Sequence, residues 1–285
     1  MASSSRTKRR KGKDPIVEEE THEYDQWRFK SWSHQMQIQW MNEKRIYPEI
    51  PFMLPDDGCQ EMKNKIRKRR WEELTSPATR INTNIIREFY ANVPRIDMRE
   101  PPTYKSYVRG VEVDFSPDAI KKVLKLKSVR FDEPGYQQRL NEEQDYEEIA
   151  RDICFENSEW EGDNKNRYKF LKRCNLTPEA KGWYELMKRS ILGTVNTSEV
   201  NRERALMLHC IMVGGEIRVH EILARDIQKI AEKNSAGPWL YYPSTIWRLC
   251  ARAKVPMEEE NPMWLSQGMA ITIERMMMPL EAHQS

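Results

Sequence analysis

Between residues 63 and 70, six of eight side chains are cationic: Lys63, Lys65, Arg67, Lys68, Arg69 and Arg70. A second cluster, Arg6, Lys8, Arg9, Arg10, Lys11 and Lys13, stands near the start of the chain. Lys and Arg at this density do one kind of chemistry well: they neutralise phosphates and release the counter-ions condensed on a polyanion. The 63–70 run has only Ile66 and Trp71 as large apolar neighbours, so it reads as a solvated helix with a phosphate-contacting face. The 6–13 run reads as a nuclear import signal or a nucleic-acid contact. Each run also has a plainer reading, an exposed charged surface with no ligand.

Charge balance restricts where a polyanion would sit. The net formal charge of the 285 residues is +3. Residues 1–75 hold 16 basic and 13 acidic side chains, and the remainder holds 31 of each, so the whole excess lies in the first quarter. The bulk of the chain offers no net pull on a polyanion. Residues 132–163 carry twelve acids against Arg139 and Arg151, and the basic stretch 165–173 that follows is expected to neutralise them within the chain.

Other chemistry leaves no trace in the spacing. None of the eleven glycines is arranged as a P-loop, and GxGxxG and GxSxG are absent. Cys154, Cys174, His209, Cys210 and His220 have no CxxC or HxxxH to anchor a zinc site, and His209 and Cys210 fall in the most apolar stretch, where they read as core residues. Aspartic-protease, zinc-knuckle and reverse-transcriptase signatures are missing, and no three carboxylates can be nominated for a two-metal centre. The expectation is a non-enzyme with no catalytic, cofactor or metal site. Five scattered cysteines (59, 154, 174, 210 and 250) suggest reduced thiols and an intracellular setting, with the nucleus reached through the 6–13 cluster. No apolar run is long enough for a membrane span, so no membrane partner is expected.

The elements that would hold these side chains are mostly helical. Residues 199–230 form the organising stretch. Ala205 to Val213 is nearly unbroken apolar sequence, the mark of a helix buried on most sides. After Gly214-Gly215, Val219, Ile222, Leu223, Ile227 and Ile230 recur at three and four, one stripe of an amphipathic helix. Ile85, Ile86, Phe89 and Tyr90 predict another amphipathic helix over 82–91. Ser116-Pro117-Asp118-Ala119 and Thr177-Pro178-Glu179-Ala180 are helix starts, with a hydroxyl to cap and Pro where the missing N–H costs nothing. Val111, Val113 and Phe115 alternate with acids, which gives a strand, and Arg109-Gly110 supplies a turn from Tyr107-Val108. In the N-terminal arm Trp32, Met36 and Trp40 share a helix face. That face is expected to pack the arm onto the domain; stacking on single-stranded bases is its other use. Residues 132–163 read as a partly helical surface insertion.

Four segments together carry a resemblance: Ile85–Val93 (IIREFYANV), Tyr107–Leu126 (YVRGVEVDFSPDAIKKVLKL), Leu176–Gly215 (LTPEAKGWYELM through VNRERALMLHCIMVGG) and Tyr241–Val255 (YYPSTIWRLCARAKV). Over roughly Ile46 to Pro256 the chain resembles the family called the putative plant transposon protein domain, found in plant genomes in and beside retrotransposon Gag-like regions. The resemblance implies a plant source and a fragment or domesticated copy without protease, polymerase or zinc-knuckle parts. The family carries no established catalytic residues, so none transfer.

These readings converge on a mainly α fold: a single helical domain with a small β-hairpin near 103–115 and disordered termini. Its divisions are a basic then acidic tail over 1–20, an aromatic-rich arm with a basic helix over 21–75, a helical core over 76–257 and a flexible tail over 258–285. The expected role is a non-catalytic, transposon-derived domain for self-association or nucleic-acid packaging. The rivals are a protein-interaction module without a nucleic-acid role and a divergent transposase or nuclease.

Overall fold

A computed structural model describes residues 22–55, 59–95, 101–128, 134–163, 165–196, 198–232 and 238–277. The expected tail over 1–20 and its basic cluster, Arg6, Lys8, Arg9, Arg10, Lys11 and Lys13, lie outside the described residues. The chain runs through α1 (Trp32–Glu43), β1 (Arg45–Ile46), α2 (Gln60–Arg69), α3 (Glu72–Thr75) and α4 (Thr83–Ala91). A hairpin of β2 (Lys105–Val108) and β3 (Val111–Asp114) follows, then α5 (Pro117–Val123), α6 (Tyr136–Arg139) and α7 (Tyr146–Ile153). Next come β4 (Glu161–Asp163), β5 (Asn166–Lys172), α8 (Pro178–Ser190), β6 (Glu199–Asn201), α9 (Arg202–Val213) and α10 (Val219–Ala231). The last elements are β7 (Trp239–Leu240), α11 (Pro243–Arg252) and α12 (Ile273–Met277).

The fold is mainly α, organised around α9. Every residue from Ala205 to Ile211 is buried, between α7 on one side and α8 on another. Met212 and Val213 emerge at its end, where Gly214 takes φ of +100°, a left-handed cap open to residues without a Cβ clash. In α10, Val219, Ile222, Leu223 and Ile227 are buried against α4 and α5. The two Ser/Thr-Pro starts behave as capping chemistry requires. Ser116 Oγ accepts from the Ala119 amide at 3.3 Å, and Thr177 Oγ1 accepts from the Ala180 amide at 3.4 Å.

The hairpin pairs Val108 with Val111 across Arg109-Gly110. Both turn residues hold positive φ, +47° and +80°, the twist that a two-residue hairpin needs. The β content exceeds a single hairpin. β4, β5 and β6 form an antiparallel sheet, and β1 pairs parallel with β7 across almost the whole chain. The two or three residues of β1, β4, β6 and β7 leave no alternation to read, β5 reads as a basic stretch, and a parallel pair joined by about 190 residues has no local signature.

Three further expectations change. Residues 132–163 are not a surface insertion, because Ile149 and Ile153 of α7 are fully buried against α9. The expected neutralisation does occur at the edge of this region, where Arg167 meets Glu147 at 2.9 Å and Lys172 pairs with Glu161. In α1 the buried residues are Gln37 and Met41, while Trp32 stays 39% exposed. The arm packs α1 against α4 through Gln37 and Met41, with Phe29 buried just before it, and two bonds fix the segment before the helix: the Gly110 amide donates to Trp27 O at 2.7 Å, and the Lys30 amide donates to Asn92 Oδ1 at 2.9 Å. Lastly, the described part of 258–285 is not a loose tail. Ile271 and Met276 are buried, Phe52 bridges to Ile271, and Asn82 bridges to Trp264. Met276 sits on α8 at Gly182, where any side chain would meet its sulfur.

Candidate nucleic-acid interface

The 63–70 cations share one helix but not one fate. α2 turns through ten residues, so its five cations, with Arg70 just past its end, point to several sides. Arg69 points inward and is 4% exposed. Its Nη1 donates to Gly215 O at 2.8 Å, and its Nη2 donates to Cys210 O at 2.6 Å and Ile211 O at 3.2 Å. Those oxygens belong to the C-terminal end of α9 and the turn after it, which carries the negative end of that helix's dipole. The guanidinium also lies 5.1 Å from the Trp71 ring centroid. Burial pulls its pKa down to about 10, which leaves it charged at neutral pH. Arg69 is therefore an internal cap of α9 and contributes nothing to a surface that meets phosphate.

Lys65 is half-buried and donates to Glu179 Oε1 at 2.7 Å, tying α2 to the first turn of α8. The exposed cations of the run are Arg67, Lys68 and Arg70, with Lys63 half-buried beside them. Arg67 Nη2 bonds Asn64 Oδ1 at 2.8 Å, a neutral partner that leaves its charge uncompensated. Arg70 ends the helix at φ +58°, with its amide bonded to Arg67 O and Ile66 O.

Four further cations stand next to this helix end and were missed in the sequence: Lys121, Lys122, Lys125 and Lys127. Arg69 and Trp71, which flank Arg70, line a small cavity of about 40 Å³ together with Lys121 and Lys127. The same segment also lines a trough of about 450 Å³, which shares Lys121, Leu126 and Lys127 with the small cavity. The signal was present as four Lys within seven residues, but alternation with Val123, Leu124 and Leu126 made the stretch read as an ordinary amphipathic helix end.

Several buried titratable groups hold the fold together. His209 Nδ1 lies 2.9 Å from Arg139 Nη1, and Nε2 lies 2.9 Å from Asp152 Oδ2. A guanidinium only donates, so Nδ1 accepts and Nε2–H donates to the carboxylate. Burial, then the Arg139 charge, holds the His209 pKa below its usual value. Both ring nitrogens of His209 are thereby occupied by hydrogen bonds within the fold. Glu49 accepts from the Ser244 and Thr245 amides at 2.8 and 3.3 Å, capping α11, and burial raises its carboxyl to about 7. Arg109 donates to Pro256 O, Glu258 O and Glu259 Oε2 at 3.0, 3.0 and 2.8 Å and lies 3.5 Å from Glu88, which also holds Arg28. Glu185 binds Arg173 and Lys188 at 3.0 and 2.9 Å; burial works to raise its pKa, but Lys188, Arg173 and Arg189 hold it below normal. Among the described residues no group of three or more His, Cys, Asp or Glu could hold a metal ion, and no helix is long and apolar enough to cross a membrane.

A family model described as a putative plant retrotransposon-related domain matches residues 67–256. No curated protein and no solved structure matches the chain. The matched span begins in the last turn of α2 and ends just past α11, so it contains Arg67 to Arg70, the four lysines at 121–127, α9 and the Arg109 hub. The 6–13 cluster lies outside it. The match covers about two thirds of the chain, and the protein belongs to the plant retrotransposon-related domain family.

Proposed function

We propose that this transposon-derived domain is a non-catalytic nucleic-acid-binding module, used in packaging, that acts inside the cell. The observation that carries the reading is the exposed face at the end of α2. Arg67, Lys68 and Arg70 reach solvent there, and Arg67 bonds the neutral Asn64 Oδ1 and the Lys63 carbonyl, neither of which carries a counter-charge. Exposed cations at this density attract a polyanion, and phosphate oxygens accept from them. A nuclear setting follows if the 6–13 cluster acts as an import signal. The non-catalytic part of the reading is supported by the engagement of His209, Glu49, Glu88 and Glu185 in fixed structural bonds.

The test is a mobility-shift titration of the full chain on generic RNA and duplex DNA at low salt. The variant Lys63→Gln/Arg67→Gln/Lys68→Gln/Arg70→Gln should bind at least tenfold more weakly while keeping the wild-type circular dichroism spectrum. Incubation with Mg²⁺ should leave the nucleic acid intact. Equal binding by the variant removes this face from the reading, and Mg²⁺-dependent cleavage favours the transposase rival.

A second reading, self-association or docking of a protein partner, is favoured by one observation. Cys59, Met62, Pro178, Ile273, Met276 and Met277 line an apolar groove of about 440 Å³ between α2, α8 and α12. Methionine-lined grooves adapt to varied apolar partners. Under that reading the quadruple variant keeps its partner, and sedimentation of wild-type protein shows a concentration-dependent mass.

A further inference from the structure

The trough behind α5 is lined by Asp118, Lys121, Lys122, Lys125, Leu126 and Lys127. Its cations are poorly compensated. Lys121 Nζ donates to Ser128 Oγ at 2.9 Å, a neutral acceptor. Lys125 pairs with Glu73, but Glu73 is shared with Arg248. Lys122 and Lys127 are exposed and make no ion pair with a described residue, and among the described residues Asp118 is the single carboxylate in the lining. The negative end of the α5 dipole accounts for lysines in its last turn, Lys121 and Lys122. It does not account for Lys125 and Lys127, which lie beyond the helix. There the chain turns through φ +51° at Lys125, and both lysines line the same concavity.

Resting on the nucleic-acid reading above, we propose that this trough is a phosphate-binding site for the nucleic-acid backbone, continuous with the exposed end of α2. Continuity comes from the small cavity that Lys121 and Lys127 share with Arg69 and Trp71, the two neighbours of Arg70. One strand laid along this face meets Arg70, then Lys121 and Lys127, then Lys122 and Lys125. The trough has the volume of an ordinary small-ligand site, roughly 300–1,000 Å³. A membrane surface is disfavoured as the partner, because an interfacial segment inserts apolar side chains and here Leu124 and Leu126 are buried in the core. The bases are not read, since the lining offers ammonium groups and one carboxylate with no aromatic face.

The test uses the full chain and a labelled generic 20-mer duplex across a salt series. The double variant Lys122→Gln/Lys127→Gln touches no ion pair among the described residues, so its unfolding midpoint should match wild type. Loss of two phosphate contacts should lower the slope of log K against log salt by about 2 and weaken low-salt binding at least tenfold. An unchanged slope in this variant, with binding still lost in the α2 quadruple variant, overturns the trough while leaving the functional reading intact. Wild-type protein that binds no nucleic acid at low salt overturns both. Phosphatidylserine vesicles form the control arm. Vesicle binding that depends on Lys122 and Lys127, without nucleic-acid binding, assigns the trough to lipid and overturns the proposal.

Discussion

Arg69 and Arg70 are neighbours of one residue type with opposite duties. Arg69 reaches three carbonyl oxygens because a guanidinium is a rigid fork of donors, and its body lies along Trp71. Removing it leaves the end of α9 without its internal cap. Arg69→Gln should lower unfolding stability by about 2–4 kcal/mol, the scale of a broken buried charged network. Binding by the folded fraction should stay at the wild-type level. A variant as stable as wild type that binds nucleic acid weakly would return Arg69 to the surface set. Composition could not separate these roles, since Lys, Arg and helical spacing are common to both. Arg109 teaches the same lesson. The sequence shows an ill-suited turn residue, and only the structure shows four anionic or carbonyl groups gathered around its side chain that offset the strain of its positive φ.

At the scale of elements, the strongly patterned helices were legible and the sparsely patterned segments were not. α9 announced itself because an all-round apolar helix has only one place to go, and α10 because its stripe has a period. α1 misled because its large aromatics lie on one face while its packing uses Gln37 and Met41. The segment around α12 was unreadable because its docking depends on the absence of a side chain at Gly182, nearly a hundred residues away. α11 shows how an element can carry a pH dependence. Its first amides are capped by Glu49, whose carboxyl is raised to about 7 by burial, against the pull of Ser244, Thr245 and Arg248. A raised folded-state pKa means the native state holds the proton longer than the unfolded chain does. The linked stability is greatest at acid pH and is lost as pH rises from the unfolded value near 4.5 to about 7. Measured against Glu49→Gln, wild-type stability should fall by on the order of 2 kcal/mol between pH 5 and pH 7.5. Denaturant titrations at the two pH values decide it, and a constant difference between the proteins would mean Glu49 stays ionised throughout.

At the scale of the whole molecule, the net charge of +3 says little, because the placement of charge is what matters. The sequence placed the excess in the first quarter. The fold instead sets the end of α2 beside lysines some fifty residues later, so two separate basic runs meet in one face that neither run shows alone. Family and fold class were readable because they rest on many residues at once. The interface was half readable, because half of it is a single run and half is an encounter between two elements. The most direct measurement of the central claim is the salt dependence of nucleic-acid binding by the full chain, beside a variant in which Arg6, Lys8, Arg9, Arg10, Lys11 and Lys13 are all Gln. The account predicts a steep log-linear fall for both proteins, with most of the slope surviving in the variant, because the folded face at 67–70 and 121–127 holds the backbone. A slope that collapses when only the 6–13 cluster is neutralised, or no binding at low salt by either protein, would contradict it.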